Sequence, residues 1–120
     1  MSPKKIAVII TESLQTSIRS IGGLRYSVHS AMTGYDISVI LFGPSVLSAK
    51  KDLPPVSNED EDEAQMMLEE INDQGGRIYA CKTYCDSVHI SQQDLLRFIE
   101  IQDLRQIAEI INTAEIQLSF

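Results

Sequence analysis

Residues 77–90, R-I-Y-A-C-K-T-Y-C-D-S-V-H-I, hold both cysteines of this 120-residue chain, Cys81 and Cys85. The apolar residues Ile78, Tyr79 and Ala80 predict a buried β-strand that ends at Cys81 and is followed by a polar turn. Reactive groups in open α/β sheets lie beyond the carboxyl ends of the strands. A cysteine at such an end therefore predicts sulfur chemistry, and the rest of the chain predicts a scaffold for it.

Five segments of the chain predict β-strands, and helical segments separate them. The predicted strands are residues 4–10, 36–42, 77–81, 98–101 and 115–120. Strands that alternate with helices form right-handed crossovers, which predict a parallel sheet with helices on both faces. The last segment alternates apolar and polar residues, which is typical of a half-exposed or edge strand.

The first predicted helix has an apolar stripe at spacings of three and four residues, and Gly34 predicts a left-handed residue at its end. The stripe consists of Ile18, Ile21, Leu24, Val28, Ala31 and Met32. A short helix is predicted at residues 46–51. A capping box at residues 91–94 predicts another that continues through Leu95 and Leu96.

Two further helices are predicted from their caps. The proline-containing residues 53–56 form a loop, after which Ser57 or Asn58 caps an acidic helix with a buried stripe of Ala64, Met67, Leu68 and Ile71. Asp103, with Gln106 reaching back to it, caps the last helix.

Composition limits the classes of protein that this chain can belong to. Its length fits one domain, residues 1–120, and 43% apolar with 22% charged residues indicates a globular protein. No apolar run approaches the roughly 18 residues of a membrane span, and the run at residues 6–10 is too short for a signal peptide. The net charge of −7 argues against nucleic-acid binding. We therefore expect a cytoplasmic protein, where a cysteine pair is reactive or metal-binding more often than disulfide-bonded.

Three hypotheses compete for the cysteines. In the first, Cys81 carries a persulfide, because Lys82 and the first backbone N–H groups of a following helix favour a thiolate. In the structural alternative, Cys81 is a small buried apolar residue without a chemical role. In the second, Cys81 and Cys85 form a redox pair, which requires residues 82–84 to be a non-helical turn.

The third hypothesis is a metal site made of Cys81, Cys85 and His89, which fall on one side of a helix. A closed zinc site needs a fourth ligand, and no second paired motif supplies it, so no metal is expected. Gly22 and Gly23 do not form a dinucleotide-binding motif, and no P-loop is present, so no cofactor is expected either.

Several motifs in this order resemble the DsrE/TusD-like family: F-G-P-S-V-L after the second strand, I-Y-A-C at residues 78–81, and the closing A-E-I-Q-L-S-F. The resemblance implies a three-layer α/β/α domain with a five-stranded parallel sheet, similar to the YchN-type fold. It also implies assembly as trimers or hexamers, or with related subunits. Sulfur-relay members carry a persulfide on the cysteine that matches Cys81 and receive sulfur from TusA-like carriers.

The chain departs from the TusD-type pattern at two places. Cys85 has no counterpart there, and residues 87–89 are Ser-Val-His where TusD-like chains have Arg-Arg-Gly. The predicted function is a sulfur carrier or sulfurtransferase-like protein with Cys81 as persulfide acceptor. Cys85 is predicted as an auxiliary thiol, with Lys82 and His89 as electrostatic support. The alternatives are a non-catalytic oligomeric binding module and a thiol-disulfide redox sensor.

Overall fold

The predicted strands form one parallel sheet in a computed structural model, which describes residues 3–14, 16–51 and 59–120, with the backbone alone for residues 59–62. The order across the sheet is β4-β3-β2-β1-β5, and each neighbouring pair is parallel. The strands are β1 Lys5–Ile10, β2 Asp36–Leu41, β3 Arg77–Cys81, β4 Ile99–Gln102 and β5 Ile116–Ser119. The predicted α/β/α architecture is confirmed, and β5 is an edge strand, as its alternating sequence predicts.

Four α-helices and two 3-10 helices connect the strands within the described residues. They are α1 Ile18–Met32, α2 Glu59–Asp73, α3 Lys82–Ser87 and α4 Leu104–Thr113, with 3-10 helices at Gly43–Ala49 and Gln92–Asp94. Asp103 caps α4 through a capping box with Gln106, as predicted. The loop at residues 53–56 and the caps Ser57 and Asn58 lie outside the described residues. None of the helices in the described part of the chain has the length and apolar character that crossing a membrane requires.

Two helix predictions need correction. The segment after β2 is a 3-10 helix that starts at Gly43 instead of residue 46. The capping box at Ser91 and Asp94 is present, but the helix it opens ends at Asp94. Leu95 instead forms a β-bridge with Lys50, and residues 97–98 form a turn before β4 begins.

The two faces of the sheet bury different clusters. One face carries most of the core, where Leu24 of α1 and Leu68 and Ile71 of α2 pack on the strands. The other carries a smaller cluster around Ala7, Ile40, Tyr79, Cys81 and Ile107. Of the helices in the described part of the chain, α4 alone contributes to this second cluster.

The buried face of α1 differs from its predicted apolar stripe. Ile18 is 89% exposed and Met32 is 55% exposed. Of the predicted stripe the helix fully buries Leu24 and Ala31, and beside them it buries Ser20, Gly23 and Ser27. Small residues let α1 approach the sheet closely, since a Cβ atom on Gly23 would lie 2.6 Å from the Phe120 ring. The end of α1 is as predicted, with Gly34 at a φ of 96°.

Candidate functional site

The chain leaves β3 and β4 toward opposite faces of the sheet. After β3 it enters α3, whose Cys85 belongs to the core cluster on the α1 and α2 side. After β4 it enters α4, whose Ile107 belongs to the cluster on the other side. The carboxyl ends of these neighbouring strands therefore form a topological switch point, the place where open α/β sheets bind ligands. Cys81 and Gln102 end the two strands and are partners in register.

Cys81 is held by three features of its position. It is the last residue of β3 and the N-cap of α3, with extended backbone angles of φ −70° and ψ 121°. Its side chain makes no capping hydrogen bond. It packs in the smaller cluster with Tyr79, Ile107 and their neighbours, and only 3% of the residue is exposed. The sulfur therefore lies at the switch point, beneath the α4 layer.

Cys85 lies in the second turn of α3 and is fully buried in the larger cluster. Burial, with smaller contributions from the neighbouring Cys81 and Asp86, raises the pKa of the Cys85 thiol to about 11. Because the thiolate is the reactive form, Cys85 is an unreactive thiol at neutral pH.

The two thiols face opposite sides of the sheet. Side chains alternate along a strand, so Ile78 and Ala80 belong to the larger cluster, whereas Tyr79 and Cys81 belong to the smaller one. Cys85 lies in the larger cluster, and both cysteines are free. Lys82 opens α3, so residues 82–84 are helical and the turn that the redox-pair hypothesis requires is absent. This conformation does not prepare a disulfide.

Lys82 is exposed and forms an ion pair within its own helix. Its Nζ atom lies 2.7 Å from Oδ2 of Asp86, one turn further on. The hydrogen bond from Lys82 to Asp86 and the charge of that carboxylate raise the pKa of Lys82, and Asp103 adds a smaller contribution. The cation predicted to support Cys81 is thus paired with an acid of its own helix.

His89 lies beyond α3, which ends at Ser87, so the helix that would align it with the cysteines does not reach it. Its side chain is exposed, and its backbone φ of 58° is in the left-handed region. Among the described residues, no group of three or more His, Cys, Asp or Glu side chains could hold a metal ion. The metal hypothesis therefore has no ligand set in that part of the chain.

A groove of about 370 Å³ leads along the sheet to the switch point. It lies between β3, β4 and α4 on the same face as Cys81, and is lined by Arg77, Tyr79, Glu100, Gln102, Gln106, Glu109, Ile110 and Thr113. A larger cavity of about 520 Å³ is formed by other residues, among them Asn72, Asp73 and Arg97, and none of them is a cysteine. We place the site at the first, because Gln102, the partner of Cys81 in register, lines it.

Sequence reasoning missed two residues of this site. Gln102 lies beside Cys81 through the pairing of β3 with β4, and Asp103 follows it at the start of α4. Asp103 was identified as a helix cap, but its proximity to Lys82 was not expected. Placing β4 beside β3, as neighbouring strands in sequence usually are, would have brought both residues to the cysteine.

The fold is shared with solved structures from several organisms. The ychN protein from E. coli superposes with a TM-score of 0.86 at 24% identity, covering 98% of this chain and 99% of that one. A protein of unknown function from Methanobacterium thermoautotrophicum gives a TM-score of 0.74 at 16% identity, with 98% and 99% covered. Another from Bacteroides thetaiotaomicron gives 0.70 at 21% identity, with 98% and 95% covered. At these identities the likeness shows the fold.

Comparison by sequence gives the family. No curated protein matches the chain. The DsrE/DsrF-like family, in contrast, matches residues 4–120. This match includes every strand of the sheet and the cysteine at the switch point, and it confirms the resemblance drawn from the sequence motifs. The chain therefore belongs to the DsrE/DsrF-like family, which is related in general terms to sulfur relay.

Proposed function

We propose that this protein is a sulfur carrier of the sulfurtransferase type that relays persulfide sulfur through Cys81. The observation that carries the proposal is the place of Cys81 at the switch point between β3 and β4, next to a groove that a ligand could enter. Membership of the DsrE/DsrF-like family supports it. Two free thiols are in keeping with the reducing cytoplasm, which we propose as its compartment.

The proposed transfer is an exchange between sulfur atoms with no net oxidation. The Cys81 thiolate attacks the outer sulfur of a persulfide on a donor protein, which we take to be a TusA-like carrier. A sulfur–sulfur bond forms at Cys81 while the donor's own bond breaks, and the donor leaves as a thiolate. An acceptor thiolate then attacks the outer sulfur on Cys81, and Cys81 leaves as a thiolate in turn.

Burial of Cys81 means that this exchange needs an opening. The cover on that face consists of α4, of which only Ile107 is fully buried. A helix held by one buried residue and a few partly buried ones opens locally at low free energy. We propose that a shift of α4 away from β3 admits the donor sulfur. Cys85 remains packed on the other face during this movement.

One observation favours a second candidate, a non-catalytic oligomeric binding module. Both cysteines are buried, and the pKa of Cys85 is raised to about 11. Burial and a raised pKa are typical of structural thiols. In this alternative the exposed apolar side chains of Ile18 and Leu104 belong to contacts between subunits. Assembly as a trimer or hexamer, or with related subunits, is part of both candidates.

Intact mass spectrometry after incubation with a persulfide donor separates the two. The carrier predicts a gain of one sulfur atom in the wild type and in Cys85→Ser, and no gain in Cys81→Ser. If none of the three proteins gains sulfur, the binding module is the better description. A loss of two hydrogen atoms on mild oxidation, prevented by either substitution, would instead indicate the redox pair.

A further inference from the structure

The edge strand β5 presents free backbone groups. Phe120 donates its N–H to the carbonyl of Ile9 (2.8 Å) and accepts from the N–H of Thr11 (3.3 Å). Backbone groups of successive strand residues point to opposite sides, so Gln117 and Ser119 turn their N–H and C=O groups away from β1. Within the described part of the chain, these outward groups have no hydrogen-bond partner.

The opposite edge of the sheet is closed by a side chain. The amide of Gln92 accepts from the N–H of Ile101 (2.9 Å) and donates to the carbonyl of Ile99. The N–H of Ile99 donates to the carbonyl of Leu96 (2.9 Å). These hydrogen bonds satisfy the outward backbone groups of Ile99 and Ile101, so few free groups remain on β4 for an incoming strand to pair with. The two edges differ in their capacity to pair.

The sequence of β5 is complementary to itself. Ile116, Leu118 and Phe120 alternate with Gln117 and Ser119. Leu118 and Phe120 pack toward the α1 side, whereas the Gln117 side chain donates to the carbonyl of Ile111 (2.8 Å) on the α4 side. The segment from Ile116 to Phe120 has no charged residue, so the net charge of −7 does not place like charges at this edge.

One antiparallel register between the β5 strands of two copies matches both the outward backbone groups and the alternating side chains. With Leu118 facing Leu118 of a second copy, Ile116 faces Phe120 and Gln117 faces Ser119. Apolar side chains then meet on one face and polar ones on the other, which is the favourable arrangement for cross-strand pairs. Gln117 and Ser119 are the residues with outward backbone groups, and in this register they exchange hydrogen bonds with each other.

We propose that β5 is a self-association edge, at which a second copy of this chain pairs antiparallel about a twofold axis through Leu118. Two five-stranded sheets become one sheet of ten strands. Such a contact uses the same patch on both copies and closes on itself. Because Gln92 blocks the other edge, strand pairing ends with two copies. This inference does not depend on the chemistry of Cys81.

Ser119→Pro tests the contact. Proline removes an outward N–H and leaves the bonds of β5 to β1 in place, and proline is tolerated at such edge positions. We expect the wild type to contain an even number of chains by light scattering, a hexamer instead of a trimer, and Ser119→Pro to halve that number. An odd number of chains would overturn the proposal. Ser119→Ala keeps the N–H and should behave as the wild type. Circular dichroism and a melting curve establish that the proline variant is folded.

Leu118→Cys tests the register, in a background with Cys81→Ser and Cys85→Ser. Directly opposite residues have Cβ atoms about 4.5–5.5 Å apart, so mild oxidation should join two chains covalently. Thr113→Cys, an exposed position at the end of α4, is the matched control and should stay unlinked. A folded Ser119→Pro variant of unchanged mass, a monomeric wild type, or cross-linking of Leu118→Cys no faster than the control would overturn the proposal.

Discussion

Cys85 differs from an ordinary thiol because its surroundings penalise the thiolate. Burial, and after it the nearby Cys81 and Asp86, raise its pKa from the ordinary value of 9.0 to about 11. A raised pKa in the folded state means that the folded state binds the proton more tightly than the unfolded state does. The stability from this group is complete below pH 9 and is lost as the pH rises toward 11.

We therefore expect the free energy of unfolding of the wild type to fall between pH 9 and pH 11 more steeply than that of Cys85→Ala. Urea denaturation of both proteins at the two ends of this range measures the difference. The alanine variant also loses packing, but that loss is independent of pH. Parallel pH profiles of the two proteins would show that Cys85 ionises as freely in the fold as outside it.

Lys82, which follows Cys81 in the chain, is paired with Asp86. Asp86→Asn removes the carboxylate and leaves Lys82 free to stabilise the neighbouring thiolate. We expect alkylation of Cys81 to become roughly threefold faster. Glu69→Gln, an exposed residue of α2, changes the net charge equally away from the groove and is the control. Equal rates in the two variants would mean that the pair has no influence on the thiol.

Among the secondary-structure elements, α1 contains two adjacent glycines, one with open space beside it and one in close contact with another side chain. A Cβ atom on Gly22 meets nothing within 4 Å, whereas one on Gly23 lies 2.6 Å from the ring of Phe120. Gly22→Ala should therefore raise the free energy of unfolding by about 0.5–1 kcal/mol through helix propensity. Gly23→Ala should lower it by about 1–3 kcal/mol, because Phe120 must move from its place at the end of β5.

Thermal or urea unfolding of the two alanine variants beside the wild type measures this contrast. Both substitutions add one methyl group to the same helix, so the difference between them isolates the contact with Phe120. A Gly23→Ala variant as stable as Gly22→Ala would show that α1 and β5 are not packed so closely.

The same helix shows where sequence patterns stop being informative. The five strands and the limits of α1 follow from apolar runs, caps and glycines, which act locally. The buried face of α1 does not, because Ser20, Gly23 and Ser27 are buried for their small size. Close approach between a helix and a sheet depends on the partner surface, and a hydrophobic pattern contains no information about that surface.

At the scale of the whole molecule, the two edges of the sheet determine how far strands can add to it. Gln92→Ala removes the side-chain amide that hydrogen-bonds to the outward backbone groups of β4. We expect species larger than the wild type that grow with protein concentration, because an uncovered edge strand is a template for another chain. Sedimentation velocity at several concentrations measures this. Gln93→Ala, next to it and exposed, is the control, and the same distribution for both variants would contradict the role of Gln92.

The candidate site was only partly predictable at this scale. The end of β3 at Cys81 follows from the apolar run before it. The opposite orientation of Cys85 depends on how the chain turns into α3, and the position of Gln102 depends on which strand neighbours β3. Both depend on tertiary structure. The helical alignment of both cysteines with His89 that the metal hypothesis requires is absent, because α3 ends at Ser87.

The two thiols lie on opposite faces of the sheet. The labelling of each thiol therefore reports the opening of a different helical layer. A local opening that lifts α4 would uncover Cys81 and leave Cys85 protected, whereas detachment of α3 would uncover Cys85. Pulse labelling of the native protein with a thiol reagent, followed by peptide mass analysis, would show which layer opens at the lower free energy. Because α4 covers its face alone among the described helices, we expect Cys81 to be labelled first.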